Sequence, residues 1–290
     1  MSMPPYEGLL TAMVTPFLPD GRISEDSAVA LGRHLLEHGS DGLVMAGTTG
    51  EAATLTDAEQ VALVALMVDE LGDEGTIVAG AGSNDTRHAI ELTESVVAAG
   101  AAAVLSVTPY YNKPNRRGII RHFEEVARAA GGVPVILYNI PSRTAVNMDP
   151  ELLAELAQID GIEAVKQANS DELRQIDGLV LLAGNDEILA ATLDIGGAGG
   201  ICVSSHIVGE KMRRMFDVPE ERAEIDAVLQ DVYETLFITS SPTPVKAALN
   251  LLGHGVGGLR LPMVEADEHE LEQIKTMLAR QGLLEGAATA

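Results

Sequence analysis

The chain has 290 residues, 46% of them apolar, and 43 acidic against 19 basic side chains, for a formal charge of −24. Such a balance leaves nothing from which to build a basic face, which excludes nucleic-acid phosphates as the main target. No apolar run reaches the ~18 residues of a membrane span. The opening MSMPPYEGLL lacks the basic start and apolar stretch of a secretory leader, and a single cysteine, Cys202, forbids an internal disulfide framework, so a cytoplasmic protein is expected.

Short apolar runs alternate with amphipathic segments over roughly the first 215 residues. The runs LLTAMVT, GLVMAG, TIVAGAG, AAVLSVT, PVILYNI, IEAVKQ, LVLLAG and GICVSS read as buried parallel strands. Between them stand helix starts. Ser24 precedes Glu25 and Asp26, Thr56 and Glu59 have capping-box spacing, Asn84-Asp85 opens a third segment, and Asp149 is followed by Pro150. Eight strand–helix units predict a (β/α)8 barrel over residues 1–217 that carries the active site. Beyond it, three strandless amphipathic helices are predicted at about 219–238, 244–252 and 262–281. They are too short for an average domain, so residues 218–290 are read as a C-terminal helical appendage on the barrel or on a neighbouring subunit, with the final EGAATA frayed.

Barrel enzymes carry their chemistry at the C-terminal ends of the strands. Here those ends carry GTTGE (Gly47 to Glu51), TPYYNKP (Thr108 to Pro114), YNIPSRT (Tyr138 to Thr144), Lys166 and GNDE (Gly184 to Glu187). Lys166 is one of only five lysines against fourteen arginines. A desolvated lysine favours its neutral, nucleophilic form and can attack a ketone to form a Schiff base; the competing reading is a lysine that snorkels to solvent or pairs with a carboxylate. Tyr138, Tyr111 and Thr48 have the hydroxyls of a proton relay, or else form an aromatic lid and a helix-capping turn. Arg143 suits a two-point grip on a carboxylate, or a surface ion pair. The glycine cluster GGAGG (Gly196 to Gly200) precedes its strand with no adjacent basic residue, so it reads as a close helix–strand contact rather than a phosphate site. The scattered histidines show no metal-ligand spacing, and Cys202 reads as a small core residue.

Taken jointly, GTTGE, TPYYNKP, YNIPSRT, AVK, GNDE, GGAGGICV and SPTPVKAALNLLG closely resemble the dihydrodipicolinate synthase and N-acetylneuraminate lyase family over nearly the whole chain. The arginine of PSRT is similar to the first-named branch. The resemblance implies a Schiff-base aldolase on a (β/α)8 barrel, with no metal and no cofactor other than the covalent imine on Lys166. Lys166 would attack pyruvate, and the resulting enamine would add to L-aspartate 4-semialdehyde. Ring closure would then give 4-hydroxy-tetrahydrodipicolinate for lysine and diaminopimelate synthesis. The resemblance further implies that Tyr138 shuttles protons and that Thr48 links it to Tyr111, which reaches in from a neighbouring subunit of a homotetramer built as a dimer of dimers. Thr49 and the loop at Gly47 would hold the pyruvate carboxylate, Arg143 that of the second substrate, and Ile201 would present its carbonyl near the imine.

Two positions depart from the family pattern: Gln167, where an acid is frequent, and Ala145, where glycine is common. Both bear on the second substrate, and a sugar-acid aldolase of the same family is the alternative; a barrel that only binds is the third reading. Positions of the lysine-feedback site correspond to Ala52, Asp57, Gln60, Asn84, His88 and Tyr110. Asp57, Gln60 and His88 differ there from the residues of sensitive members, which predicts weak or absent inhibition.

Overall fold

A computed structural model describes residues 4–284; the EGAATA segment lies outside the described residues. Eight strands close a parallel barrel in chain order: β1 Gly8–Ala12, β2 Gly42–Met45, β3 Thr76–Gly80, β4 Ala103–Val107, β5 Val135–Asn139, β6 Ile162–Gln167, β7 Val180–Ala183 and β8 Gly199–Cys202. Each lies within an apolar run predicted as a strand, give or take one terminal residue. The seam between β1 and β8 closes by backbone approach: a Cβ on Gly199 would stand 2.0 Å from the carbonyl oxygen of Gly8, so no side chain fits there. The glycine cluster is therefore a packing feature, as its lack of basic neighbours implies.

Around the barrel run α1 Glu25–Glu37, α2 Asp57–Leu71, α3 Thr86–Ala98, α4 Arg116–Ala130, α5 Pro141–Thr144, α6 Pro150–Leu156, α7 Leu189–Asp194 and α8 Ser205–Asp217. The starts follow their local chemistry. Thr56 and Glu59 form a reciprocal capping box, Asp85 and Asp149 accept from Arg87 and Leu152 amides, and Pro150 opens α6. In α4 the buried residues Ile119, Phe123, Val126 and Ala130 recur at helical spacing and seat the helix on the sheet. The alternation is incomplete after β6, where only a 3-10 turn, Ser170–Glu172, precedes β7. The segment ANSDELRQIDG has too few periodic apolar residues to bury a helix face.

The last helices are α9 Arg222–Thr235, α10 Thr243–Leu251 and α11 Glu268–Arg280. The predicted 219–238 helix begins as a 3-10 turn at Pro219–Glu221, and the predicted 262–281 helix starts only at Glu268. Its start is set by a second capping box, Asp267 with Glu270, rather than by Pro262. Leu229, Val232, Leu249, Ile274 and Met277 share one buried cluster with Leu31, Leu35 and Met67 of α1 and α2, so this region and the barrel's outer layer form one continuous core. No helix among the described residues is long and apolar enough to cross a membrane.

Inside the barrel, Leu10, Val44, Val78, Leu105, Ile136, Ala164, Leu182 and Ile201 form a separate apolar layer beneath the mouth. The β5–β6 register sets which side chains join it. Val135 pairs with Ile162, but Ile136 pairs with Ala164, so Glu163 is the extra residue of a bulge. The bulge lets Ile162 pack outward among the helices while Ala164 faces the interior. By the two-residue period Lys166 then faces the interior as well.

His206 at the start of α8 is fully buried; one ring nitrogen lies 2.8 Å from the Val203 carbonyl and Nε2 accepts the Val14 amide at 3.2 Å. Burial lowers its pKa to about 4, below the ordinary 6.5. The unfolded chain therefore binds more protons between those values, and the stability from the neutral ring is complete above pH 6.5 and lost as pH falls through 4. Its size is on the order of 3 kcal/mol. Denaturant titrations should show stability falling over this window, with a shallower slope for His206→Gln; an unchanged slope contradicts the assignment.

Candidate active site

The C-terminal ends of the strands open into a cavity of about 620 Å³. Lys166 stands within it, only 6% exposed. It is the direct register partner of Tyr138 on β5, and its Nζ lies 4.2 Å from the centre of that ring. The lysines in ion pairs are Lys246 and Lys275; among the described residues no carboxylate pairs with Lys166. The snorkelling and ion-pair readings therefore fail on geometry, leaving a sheltered amine facing a cavity.

Gly47, Thr48 and Thr49 line the same cavity from the β2–α2 loop. Thr48 is exposed at the rim and Thr49 is buried. The loop is bracketed by two non-glycine residues in left-handed conformation, Ala46 (φ 51°) and Glu51 (φ 56°). It is tied down by hydrogen bonds from Glu51 N to Thr48 O, from Ala52 N to Gly47 O and from Thr15 Oγ1 to Gly50 O (3.1, 3.2 and 2.6 Å). Such strain persists only where surrounding contacts over-determine it.

Arg143 reaches the cavity from the one-turn α5, whose end is held by Thr144 Oγ1 donating to Ile140 O or Val146 O at 3.0 and 2.8 Å. Arg143 is exposed and joins no carboxylate among the described residues, unlike Arg116 of α4, which holds Asp149 and Glu155. Ala145 follows at φ 57°, which explains why glycine suits this position: a Cβ in the left-handed region costs about 1–2 kcal/mol. Gln167 does not face the cavity. Its Oε1 accepts from Asn139 Nδ2 and Asn169 N, both at 3.0 Å, so this departure ties β5 to β6 away from any substrate.

Two predicted site residues lie apart from the cluster. Tyr111 is 88% exposed, with φ 68°, and does not line the cavity; its neighbour Tyr110 does. The Ile201 side chain sits in the apolar layer below, paired with Leu10 across the seam.

Other contributors had no role assigned from sequence. Asp186, buried, accepts from Val203 N, Ser204 N and Ser204 Oγ at 2.9, 2.6 and 2.5 Å and fixes the entry to α8. Burial, and then this carboxylate, push the Cys202 thiol well up, so it stays protonated and inert. Phe237 and Ser241 bring the C-terminal region to the cavity, and the buried Ser241 hydroxyl has no partner. Glu51, at the end of GTTGE, forms a fully buried ion pair with Lys246 of α10 at 2.6 Å. The sequence signal for that pair was a rare lysine inside the apolar PTPVKAALNLL. No cluster of three or more His, Cys, Asp or Glu arranged to hold a metal occurs among the described residues.

A (β/α)8 barrel with a sheltered, unpaired lysine and a tyrosine at its catalytic mouth defines an enzyme scaffold suited to imine chemistry. Residues 5–281 match the dihydrodipicolinate synthetase family, and the chain belongs to that family. It is 43% identical over 289 residues to the 4-hydroxy-tetrahydrodipicolinate synthase of Moorella thermoacetica, covering 95% of this chain and 98% of that protein. Among solved structures, the Cyanidioschyzon merolae dihydrodipicolinate synthase with lysine bound superposes with a TM-score of 0.93 at 38% identity, covering 97% of this chain and all of that one. The chloride-inhibited Acinetobacter baumannii enzyme complexed with pyruvate gives 0.92 at 32% identity, covering 96% and 99%.

Proposed function

We propose that this chain is a lyase that condenses pyruvate with L-aspartate 4-semialdehyde to 4-hydroxy-tetrahydrodipicolinate, which feeds lysine and diaminopimelate synthesis. The observation that carries the reading is Lys166, buried, unpaired and set over Tyr138 at the floor of the mouth, in a member of this family. The neutral amine attacks the keto carbon, and loss of water leaves an imine. The iminium acidifies the methyl group, whose lost proton leaves an enamine. The enamine carbon adds to the aldehyde, and the substrate's own amine then closes on the imine carbon and frees Lys166. The iminium is itself the electron sink, so the route calls for no further cofactor.

Tyr138 moves protons at the imine, through Thr48 at the rim. Thr49 and the Gly47 backbone hold the pyruvate carboxylate, Arg143 takes the carboxylate of the semialdehyde, and the Ile201 carbonyl faces the imine side. Arg143, unpaired and at the cavity edge, supports aspartate semialdehyde over sugar aldehydes. With pyruvate saturating, Arg143→Ala should raise KM for the semialdehyde about tenfold or more while leaving KM for pyruvate within about twofold. Equal turnover of sugar aldehydes by the parent contradicts the assignment.

Tyr111 completes the relay from a second copy of the chain, in a homotetramer built as a dimer of dimers. Its 88% exposure and its place outside the cavity of its own chain support that role. Tyr111→Phe should lower kcat by about 10²-fold with little change in melting temperature; an unchanged kcat removes it from the relay. The cytoplasm is the compartment this reading carries.

The outer part of the cavity is lined by Asp57, Gln60, His88 and Tyr110. There Asp57 and the His88 ring occupy each other at 2.9 Å, which leaves fewer free groups for a diamino acid. Submillimolar L-lysine should leave the rate unchanged in initial-rate assays; clear inhibition in that range contradicts this.

A further inference from the structure

The β2–α2 loop is anchored by a charge that the reaction does not use. Glu51 is in the left-handed conformation, and its backbone N–H closes the turn onto Thr48 O. Its carboxylate is buried: Oε1 takes Lys246 Nζ at 2.6 Å and Oε2 takes the Arg260 amide at 3.0 Å. Lys246, also buried, donates to Gly258 O at 2.7 Å and stands over the Phe17 ring at 4.2 Å. Arg260 stacks on the same ring at 4.6 Å, and its guanidinium grips Glu59, Thr54 O and Gly21 O. One segment of the C-terminal region thus clamps both the end of the loop and the first turn of α2. A buried ion pair is a poor device for stability alone, because apolar side chains of similar volume do as well or better. What it does well is fix one geometry, since Glu51 cannot turn away without stranding the buried Lys246 charge and releasing the partly buried Arg260 amide.

We propose that Glu51, held by Lys246, is a positioning residue for the keto-acid carboxylate: the buried pair locks the Gly47–Thr48–Thr49 loop, so the C-terminal region sets the affinity for the first substrate. Neither residue lines the cavity, so the effect passes through the loop backbone. The inference rests on the proposed function, in which that loop receives pyruvate.

The test uses the full chain with Glu51→Gln, Lys246→Met and the double variant, which leaves no unpaired buried charge. KM for pyruvate should rise about tenfold or more, with kcat at saturating pyruvate within about threefold and KM for the aldehyde within about twofold. A merely structural pair would lower the melting temperature and leave KM for pyruvate unmoved in every folded variant, which overturns the proposal. Hydrogen exchange on the unmodified chain decides the matter if the variants do not fold. By reciprocity, pyruvate should slow exchange at the Arg260 amide as well as in the loop, and unchanged exchange at Arg260 overturns the proposal. Borohydride trapping of pyruvate on the parent separates the two failures. No adduct on Lys166 refutes the proposed function, whereas a normal adduct with an unmoved KM refutes only the positioning role.

Discussion

The site depends first on the register between β5 and β6. Side chains of a strand alternate between faces, so a slip of one residue would send Lys166 into the helical layer and Val165 into the barrel. The bulge at Glu163 prevents this, because it lets Ile162 pack outward without carrying Lys166 outward with it. Tyr138 and Lys166 then meet as direct partners above a dry apolar layer. That layer lies beneath the amine, and among the described residues no carboxylate pairs with it, so Lys166 faces the cavity.

Much of this was legible in the sequence. Each barrel strand is a short apolar run because a parallel strand is buried on both faces, and that pattern needs no tertiary information. The helix caps were equally plain, since Thr56–Glu59, Asp85 and Asp149–Pro150 act within one turn. What stayed hidden depends on distant pairing. The Glu163 bulge leaves no mark in IEAVKQ, and Ile162, Ala164 and Val165 look alike as apolar residues although they face two different layers. The missing helix after β6 and the late start of α11 reflect burial and a second capping box that outweighed a loose amphipathic pattern. Tyr111 illustrates another limit: its motif marks it for the site, but its own chain turns it to solvent.

The Glu51–Lys246 pair spans 195 positions of sequence, so no local pattern could join its ends. Seen in the fold, it changes the status of the last three helices. They share the barrel's outer core, bring Phe237 and Ser241 to the cavity, and brace the loop proposed to receive the keto-acid carboxylate. Barrel and appendage therefore pack as one continuous body. Exposed ion pairs such as Arg22–Asp20, Arg214–Glu221 and Arg280–Asp231 lie apart from this machinery, and such pairs contribute little.

The central claim is that Lys166 is a nucleophile toward a keto acid. It is tested most directly by reducing the folded protein with borohydride in the presence of pyruvate, followed by intact mass and peptide mapping. The account predicts one stable pyruvate-derived adduct per chain, on Lys166, which is lost in Lys166→Ala. Folded protein that yields no adduct, or an adduct on another lysine, would contradict it.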